Sequence, residues 1–339
     1  MRSRLEALVS LLAPAGLVVA VAVIGSQTGL ARQLEFENAL VNTSIVVAIY
    51  VFVGNSGVIS FGHISFVAVG AFLAGILTLE AQQKDFVLPE MFPVLRHAHV
   101  GIVESLVLAA LAGAIYALIV GIPLMRLSGL PAGIATFAVL GITYNVLSYW
   151  PKIGPGVTAL ALVPETGIWT LMVGALIAIT AAFAYQRSPF GRQLRATKED
   201  PHAAQSVGID VHRQRLYAFV ISGTLAGFAG GLLVHELGSI TTQQVYLDLT
   251  FITLAMLVVG GAASLWGAVV GALLVSGLDS FLNDAEQGVH VGFDLTLPSG
   301  TRLVAIGALM AIVLILRPAG ITGGREVTLK RRRRAAEAS

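Results

Sequence analysis

The sequence predicts an all-α, polytopic integral membrane protein with about ten transmembrane or re-entrant helical segments and both termini in the cytoplasm. Of its 339 residues, 56% are hydrophobic and only 12% are charged, whereas a soluble domain usually has about 25% charged residues. The apolar residues are gathered into runs near the ~20 residues that a helix needs to cross a bilayer. Lys and Arg are concentrated between alternate runs, which is typical of a multi-pass protein.

The first part of the chain carries five apolar runs separated by polar or glycine-rich links. Arg2 and Arg4 precede the first run, and a cleaved signal peptide would begin in the same way. The length of that run and the topology below favour a retained span. Residues 26–37 are predicted to be a polar link, and residues 80–100 a loop of mixed charge. The five runs are 7–25, 38–53, 61–79, 101–122 and 132–149.

The second part of the chain begins with a proline- and glycine-rich loop at 150–167. Two spans, 168–185 and 216–237, flank the longest polar interruption, 187–215. The apolar stretch 249–277 is too long for one span and contains GGAASLWG, which divides it. An acidic loop at 278–299 without Lys or Arg precedes the last span, 301–316.

The polar interruption is predicted to hold one or two short helices within Gly191–Ser206. Gly191 would break the chain before them, and Pro201 suits the first turn of a second helix. A structured polar segment between two spans lies against a membrane face, where a partner could dock. Six of the chain's 21 basic residues lie in or beside it: Arg187, Arg192, Arg195, Lys198, Arg213 and Arg215.

The distribution of basic residues predicts the orientation, because cytoplasmic loops are enriched in Lys and Arg. With the N-terminus inside, about 16 basic residues fall inside and 5 outside, provided that 249–277 crosses twice or dips in and returns at Gly260–Gly267. A single crossing would place Lys330–Arg334 outside. The prediction is one membrane domain, 1–320, followed by a basic cytoplasmic tail, 321–339.

Two glycine-rich interruptions occupy corresponding places, GNSGVISFGH (54–63) and GGAASLWG (260–267). Irregular backbone at membrane depth is tolerated where protein buries it or water lines it, and paired interruptions point to a transport pathway. Close helix packing through small residues is the alternative. His63 could relay protons, but a hydrogen-bonded histidine in a helix contact is favoured. The candidate pathway or gating residues are Gly54, Asn55, Gly57, Ser60, His63, Gly260, Gly261 and Gly267.

The sequence offers no catalytic or metal-binding constellation. The chain has no cysteine, its seven histidines are scattered, and no GxxxxGK[ST] phosphate loop occurs. Charges inside the spans are nearly absent, since Glu104 and Arg302 lie near span ends and Glu236 lies at the end of span seven. We therefore expect no enzyme, no cofactor and no ion-driven carrier. A transporter of this kind needs an external motor, for which 187–215 is the predicted dock.

The segment SPFGRQLRATKEDPHAAQSVGIDVHRQRLYAFVISGTLAGFAGGL resembles the cytoplasmic loop and following helix of permease subunits of bacterial branched-chain amino acid ABC importers, the LivM type. HAAQSVGID is similar to the loop by which ABC permeases touch their ATPase. Ala203, Ala204 and Gly208 match that pattern, and His202 stands where the general pattern has Glu.

The resemblance covers nearly the whole chain in the right order. VVGGAASLWGAVVGALLV is similar to the late glycine-rich segment of the family, and LRPAGITG to its C-terminal RPxGLxG. GNSGVISFGH is similar to the early G-x-x-G-x-x-S-x-G-[HQ] segment, matched at Gly54, Gly57, Ser60, Gly62 and His63.

The resemblance implies one of two related permease subunits in a bacterial inner (plasma) membrane complex. The implied partners are two cytoplasmic ABC ATPases, a second permease, a periplasmic or lipid-anchored substrate-binding protein and the bilayer, with no nucleic acid. The ATPase would bear on Ala203, Ala204 and Gly208. Electrostatic contacts would come from Arg192, Arg195 and Lys198, for which positive-inside anchoring is the alternative.

The function implied is import of branched-chain or related amino acids by alternating access, driven by the ATPases. Urea and short-chain amides are alternative substrates, because specificity in such systems rests largely with the binding protein. An ion-coupled secondary carrier is a different class, and it would transport without an ATPase.

Overall fold

The computed structural model describes residues 2–154, 156, 158–162, 166–290, 294–295, 297–298 and 300–326. The predicted basic run Lys330–Arg334, most of the predicted tail and parts of the loops at 150–167 and 278–299 lie outside these residues.

The described residues form fourteen α-helices and two small antiparallel sheets. The helices are α1 (Arg2–Ser26), α2 (Leu30–Ser56), α3 (His63–Thr78), α4 (Ala81–Val87), α5 (Pro93–His97), α6 (Ile102–Leu124), α7 (Leu130–Tyr149), α8 (Ile168–Arg187), α9 (Pro189–Glu199), α10 (Pro201–Ser206), α11 (Val211–Leu237), α12 (Leu247–Gly260), α13 (Leu265–Gln287) and α14 (Thr301–Leu316). The strands are β1 (Leu160–Ala161) paired with β2 (Ser239–Ile240), and β3 (Val289–His290) paired with β4 (Asp294–Leu295).

Seven helices in the described part of the chain are long and apolar enough to cross a membrane: α1, α2, α6, α7, α8, α11 and α13. Three shorter apolar helices, α3, α12 and α14, fall where the sequence predicts further segments. The predicted division of 249–277 is confirmed, since α12 ends at Gly260 and α13 begins at Leu265. Ten crossings and the sidedness of the termini stay predictions.

The links between the helices gather at two ends of the molecule. At one, Lys198 Nζ donates to Gly54 O at 3.0 Å, and Glu326 Oε1 accepts from Leu265 N at 2.8 Å. We call this the α9 end. At the other, called the opposite end, β1 pairs with β2, and Ser148 Oγ donates to Thr242 Oγ1 at 3.1 Å. This alternation agrees with the loop parity deduced from the sequence.

The core lies around α11, which packs against α2, α3 and α6. Small residues in these contacts, such as Gly113 and Gly227, allow the backbones to approach closely. α2 is buried from Ala39 to Ser56, whereas α6 and α7 leave large apolar side chains exposed. Exposed apolar helices at the periphery and small residues between the central ones are what a bilayer-embedded bundle requires.

Several helix boundaries differ from the prediction. α2 begins at Leu30, within the predicted polar link 26–37, and α13 continues to Gln287, within the predicted loop 278–299. The predicted loop 80–100 contains α4 and α5. Loss of hydropathy marks where an apolar run ends, but a helix continues as long as its backbone hydrogen bonds and neighbours support it.

Candidate functional site

α9 begins at Pro189, two residues before the predicted break at Gly191. Ser188 caps it, because its Oγ accepts from Gly191 N at 3.1 Å, and Pro189 fits the first turn, where a missing N–H costs nothing. The expectation that Gly191 precedes the helix is therefore wrong. α9 is amphipathic: Gly191, Leu194 and Thr197 are buried, and the exposed surface is mainly polar but includes the apolar Phe190.

α10 begins at Pro201, as predicted, and Asp200 caps it. Asp200 Oδ1 accepts from His202 N at 2.8 Å and from Ala203 N at 3.0 Å. These two hydrogen bonds lower the pKa of Asp200 from its ordinary value, because they favour the ionised carboxylate. Asp210 in turn caps α11 by accepting from Arg213 N at 3.1 Å. The polar interruption is thus a fixed two-helix element.

The residues predicted to contact an ATPase divide by exposure. Arg192, Ala203 and Gly208 are exposed, and Ala204 is buried. Val207, beside them, is 75% exposed. This side of α9 and α10 offers mixed apolar and basic character to a partner, and a partner contact at these positions remains a prediction.

Arg195 and Lys198 donate hydrogen bonds to the bundle, and a contact with an ATPase at these two positions stays a prediction. Arg195 Nη1 donates to Asn55 Oδ1 at 3.2 Å, and its Nη2 donates to Gln186 O at 2.7 Å. Lys198 Nζ donates to Gly54 O at 3.0 Å, although the side chain remains exposed along its length. These two basic residues tie α9 to the ends of α2 and α8.

The two glycine-rich interruptions meet at the α9 end. A Cβ on Gly54 would lie 2.6 Å from Ala262 O, in the turn between α12 and α13. A side chain there would therefore separate the two segments. Gly260 and Gly267 lie where α12 crosses α13, and a Cβ on Gly261 would lie 2.8 Å from Ala319 O. Most of the candidate gating residues thus belong to one contact region.

Gly57 ends α2 in the left-handed conformation, with φ of 71°. The stem of Lys198 covers it, since a Cβ would lie 3.0 Å from Lys198 Cγ. A glycine is required because L side chains disfavour this backbone conformation. Gly57 therefore determines both where α2 ends and how closely the Lys198 side chain of α9 contacts α2.

His63 begins α3 and Ser60 lies in the link before it, and both are buried. His63 Nδ1 is 2.7 Å from Ser60 Oγ, and the ring stacks on Phe52 with centroids 5.4 Å apart. Phe66 and Phe219 approach the same ring edge to face. A hydrogen-bonded histidine within an aromatic helix contact agrees with this geometry.

Three polar residues at the α9 end were not predicted from sequence. Tyr50 Oη donates to Gln186 Oε1 at 2.6 Å, and Gln186 also hydrogen-bonds Glu326. Glu326 accepts from the N–H groups of Leu265, at 2.8 Å, and Trp266, at 3.3 Å, at the start of α13. Gln186 is a polar residue directly after the apolar run 168–185, and this position is the sequence feature from which part of the network could have been predicted.

Glu326 belongs to residues 317–326, which we call the strap. Ile321 N donates to Val259 O at 2.8 Å, and Thr322 Oγ1 donates to Gly260 O at 2.7 Å. Burial raises the pKa of Glu326, and the two α13 amides together with Arg195 partly offset this. The strap thus satisfies the free ends of both α12 and α13.

The sequence places Glu236 at the end of span seven and shows no ladder of buried carboxylates. The structure buries Glu236 and Glu37 to 7% and 4% exposure at the opposite end. α2 begins at Leu30, before the predicted run 38–53, and its polar first turns bring Glu37 beside Glu236 at the end of α11.

The α9 end contains a polar network that connects α9 to the membrane bundle. Arg195 connects α9 to the ends of α2 and α8 through Asn55 and the Gln186 carbonyl. Gln186 also hydrogen-bonds Glu326 of the strap, which binds the start of α13. Such an arrangement can transmit a displacement of α9 into the bundle.

Comparison with known proteins gives one family and several relatives. Residues 39–314 match the family described as branched-chain amino acid transport system, permease component. The chain is 24% identical over 323 residues to the high-affinity branched-chain amino acid transport system permease protein LivM of Escherichia coli K12, covering 85% of this chain and 69% of that protein. It is 32% identical over 152 residues to a probable branched-chain amino acid transport permease protein LivH of Methanocaldococcus jannaschii, covering 43% of this chain and 44% of that protein.

A relative with another name is also similar. The autoinducer 2 import system permease protein LsrC of Klebsiella pneumoniae is 28% identical over 190 residues, which cover 52% of this chain and 53% of that protein. No solved structure matches.

Proposed function

This chain belongs to the family of branched-chain amino acid transport system permease components, and from this we propose that it is the membrane-spanning subunit of an ATP-driven importer. It carries branched-chain or related amino acids into the cytoplasm by alternating access. Separate ATPase subunits drive it, and a substrate-binding protein delivers the solute outside. A second, related permease completes the translocation path.

The observation that carries the proposal is the inward attachment of α9. Arg195 and Lys198 hold α9 to the end of α2, while the other side of α9 and α10 remains uncovered. Phe190 and Val207 are exposed apolar residues of this segment, and exposed apolar residues grouped within polar surroundings are typical of a protein-binding surface. An ATPase that closes on this surface would move α9, and α9 would pull on the glycine-rich turns.

The proposed roles of the sequence candidates follow from these positions. Arg192, Ala203 and Gly208 contact the ATPase directly, and Ala204 supports α10 from within. Arg195 and Lys198 act through the bundle as positioning residues. Gly54, Gly57, Gly260, Gly261 and Gly267 allow the two turns to approach and separate. The protein lies in the bacterial inner membrane with the α9 end in the cytoplasm.

The test is ATP hydrolysis by the reconstituted complex with its cognate binding protein loaded with leucine. We expect loaded binding protein to stimulate hydrolysis above the level with unloaded binding protein. Failure of the ATPase to co-purify with the permease, together with leucine uptake that needs no ATP, would instead indicate an ion-coupled carrier.

A second candidate substrate is supported by the LsrC relative, which is named for autoinducer 2 import. The same assay with the binding protein loaded with autoinducer 2, or with urea, separates these substrates. Stimulation by one of these alone would keep the motor and the fold and change the transported solute.

A further inference from the structure

Two arginines at the α9 end lie on adjoining segments and have no carboxylate partner. Arg215 is on the first turns of α11, and its Nη1 donates to Leu127 O at 3.5 Å, which places its guanidinium against the link between α6 and α7. Arg126, the residue before Leu127, is exposed in that link. Among the residues that the structure describes, neither arginine forms an ion pair. Two positive charges are therefore left without a counter-charge from the described protein.

The guanidinium of Arg215 leaves most of its hydrogen-bond donors unused. The side chain is half-buried, and its Nε is enclosed without a partner. The contact from Nη1 to Leu127 O, at 3.5 Å, is at the long limit of a hydrogen bond. A guanidinium has five N–H donors, most of them on its two Nη atoms. These Nη donors suit the oxygens of a phosphate, which a guanidinium can bind through two parallel hydrogen bonds.

Arg215 lies at the level of lipid headgroups. The stretch of α11 from Arg215 to its last residue, Leu237, corresponds to about 33 Å at a rise of about 1.5 Å per residue. The hydrocarbon core of a bilayer is about 30 Å thick. Arg215 therefore stands at one face of that core, where the phosphates of one leaflet lie.

Apolar side chains border the two arginines on the membrane side. Ile122 near the end of α6 and Leu130 and Ile134 at the start of α7 are all exposed. The two helices both pack against α3, and Tyr116 Oη of α6 lies 2.7 Å from Thr143 Oγ1 of α7. They therefore run side by side away from the link, and their exposed apolar residues are within reach of acyl chains whose headgroup is at the link.

We propose that Arg126 and Arg215 bind the phosphate of an anionic phospholipid, whose acyl chains lie along Ile122, Leu130 and Ile134. The unpaired positive charges match the phosphate, and the exposed apolar residues match the chains. This inference goes beyond the transport function and does not depend on which solute the protein carries.

Other occupants fit this place less well. A free phosphate would use the arginines but not the apolar residues beside them. An ATPase would have to cover Leu130, which is 78% exposed at the start of a membrane-spanning helix. An acidic protein surface bound there would remove that apolar residue from the bilayer and bring charge beside it.

Arg213 provides a matched control on the same helix. It lies two positions before Arg215, and its Nε is 3.1 Å from Asp210 Oδ2. Because this guanidinium already has a carboxylate partner, it should contribute little to binding of a lipid phosphate. A comparison of the two positions therefore separates a defined site from the general positive charge of this end.

The chain has no cysteine, so a bimane fluorophore on Ser128→Cys, in the same link, reports on nearby lipid in the purified complex. The complex is placed in phosphatidylcholine nanodiscs that contain a small fraction of lipid with a doxyl quencher close to its headgroup. Labelled phosphatidylglycerol should reach half-maximal quenching at a mole fraction at least about tenfold lower than labelled phosphatidylcholine. Equal quenching by the two lipids overturns the proposal.

The arginines are tested in the same assay. Arg126→Gln and Arg215→Gln should each raise the mole fraction of phosphatidylglycerol that gives half-maximal quenching by about fivefold, whereas Arg213→Gln should leave it unchanged. A preference that survives in both Arg126→Gln and Arg215→Gln, or an equal loss in Arg213→Gln, overturns the site. Size exclusion checks assembly, and Arg126→Gln, at an exposed position, carries the test alone if Arg215→Gln fails to assemble.

A competitor without acyl chains separates the lipid from a free phosphate. Excess sn-glycerol 3-phosphate should not relieve quenching by labelled phosphatidylglycerol, because it lacks the contact with Ile122, Leu130 and Ile134. Relief of quenching would make this a site for small anions and would overturn the proposal for a phospholipid.

Discussion

At the scale of single residues, Arg192 and Arg195 lie three positions apart on α9 but face different surroundings. Arg192 is exposed, whereas Arg195 reaches Asn55 and Gln186 across two helices. The same substitution made at each position therefore separates two effects. At Arg192 it tests docking of a partner, and at Arg195 it tests transmission of a movement of α9 into the bundle.

We expect Arg195→Gln to destabilise the complex by about 1–2 kcal/mol, because it removes charge-assisted hydrogen bonds from a half-buried position. It should also reduce stimulated ATP hydrolysis while the ATPase still co-purifies. Arg192→Gln should leave the thermal midpoint unchanged and weaken binding of the ATPase. A thermostability assay by size exclusion measures the thermal midpoint, and co-purification measures ATPase binding. The same changes in both variants would argue against separate roles for Arg192 and Arg195.

Asp200 gives the coupling element a defined response to acid. Its pKa in the folded protein is lowered by hydrogen bonds from the backbone of His202 and Ala203. The ionised carboxylate therefore stabilises α10 at neutral pH, and this stabilisation is lost as the pH falls through that lowered value. We expect hydrogen exchange in 201–206, corrected for intrinsic rates, to accelerate in acid.

The control is Asp200→Asn, which still caps the helix but does not titrate in this range. Its exchange in 201–206 should vary less with pH than that of the wild type. Acceleration of the same size in both proteins would assign the acid response to another group.

At the scale of elements, the strap supports the turn between α12 and α13. Glu326 binds two α13 amides, and Thr322 binds the carbonyl that ends α12. We expect a chain truncated after Gly324, which lacks Glu326, to lose thermal stability and coupled hydrolysis, because the start of α13 loses its carboxylate. Truncation after Glu326 is the matched control and should retain both. Equal loss would assign the effect to the basic tail.

The end of α2 is the second element whose geometry can be tested. Gly57→Leu places a side chain in a left-handed position, which costs about 1–2 kcal/mol, and displaces the Lys198 stem. We expect it to impair leucine uptake into proteoliposomes. Gly57→Asn should retain more uptake, because Asn tolerates this conformation better. Equal uptake by Asn and Leu variants would indicate that the Lys198 contact matters more than the backbone.

At the scale of the whole molecule, introduced cysteines at the two ends should differ in their reaction with a reagent added outside the cell. Single cysteines at Gln27 and Gln83 should react with an impermeant maleimide added to intact spheroplasts, since both lie exposed at the opposite end. Ser128→Cys and Gln205→Cys, exposed at the α9 end, should react only after permeabilisation. Labelling of Gln205→Cys in intact cells would reverse the proposed orientation.

The sequence predicts the helical segments well because crossing a bilayer demands long apolar runs. It also predicts the break at Gly260–Gly267 and the start of α10 at Pro201, since both depend on local backbone chemistry. The same signals misplace the start of α2 and the end of α13, where helices continue in polar sequence.

The candidate site could be predicted only in part, because its contacts join residues far apart in the chain. Gly54 and Ala262 belong to separate motifs, and their proximity has no local signal. Arg195 was identified as basic, but whether it faces a partner or Asn55 depends on the packing of α9. Glu326 is an ordinary acidic residue in sequence and becomes a helix cap only through the path of the strap.

The strap also fixes an order of events during synthesis. Glu326 follows its partner Leu265 by 61 residues, and at about 5–20 residues per second the ribosome needs about 3–12 s to make that interval. Until then the first amides of α13 lack their acceptor, and Arg195 lacks a nearby carboxylate. The strap is therefore made after all fourteen described helices, and it closes a surface that the start of α13 has left open. A nascent chain stalled before Glu326 exposes this unfinished surface, which gives a membrane protease a physical means of distinguishing it from a finished chain.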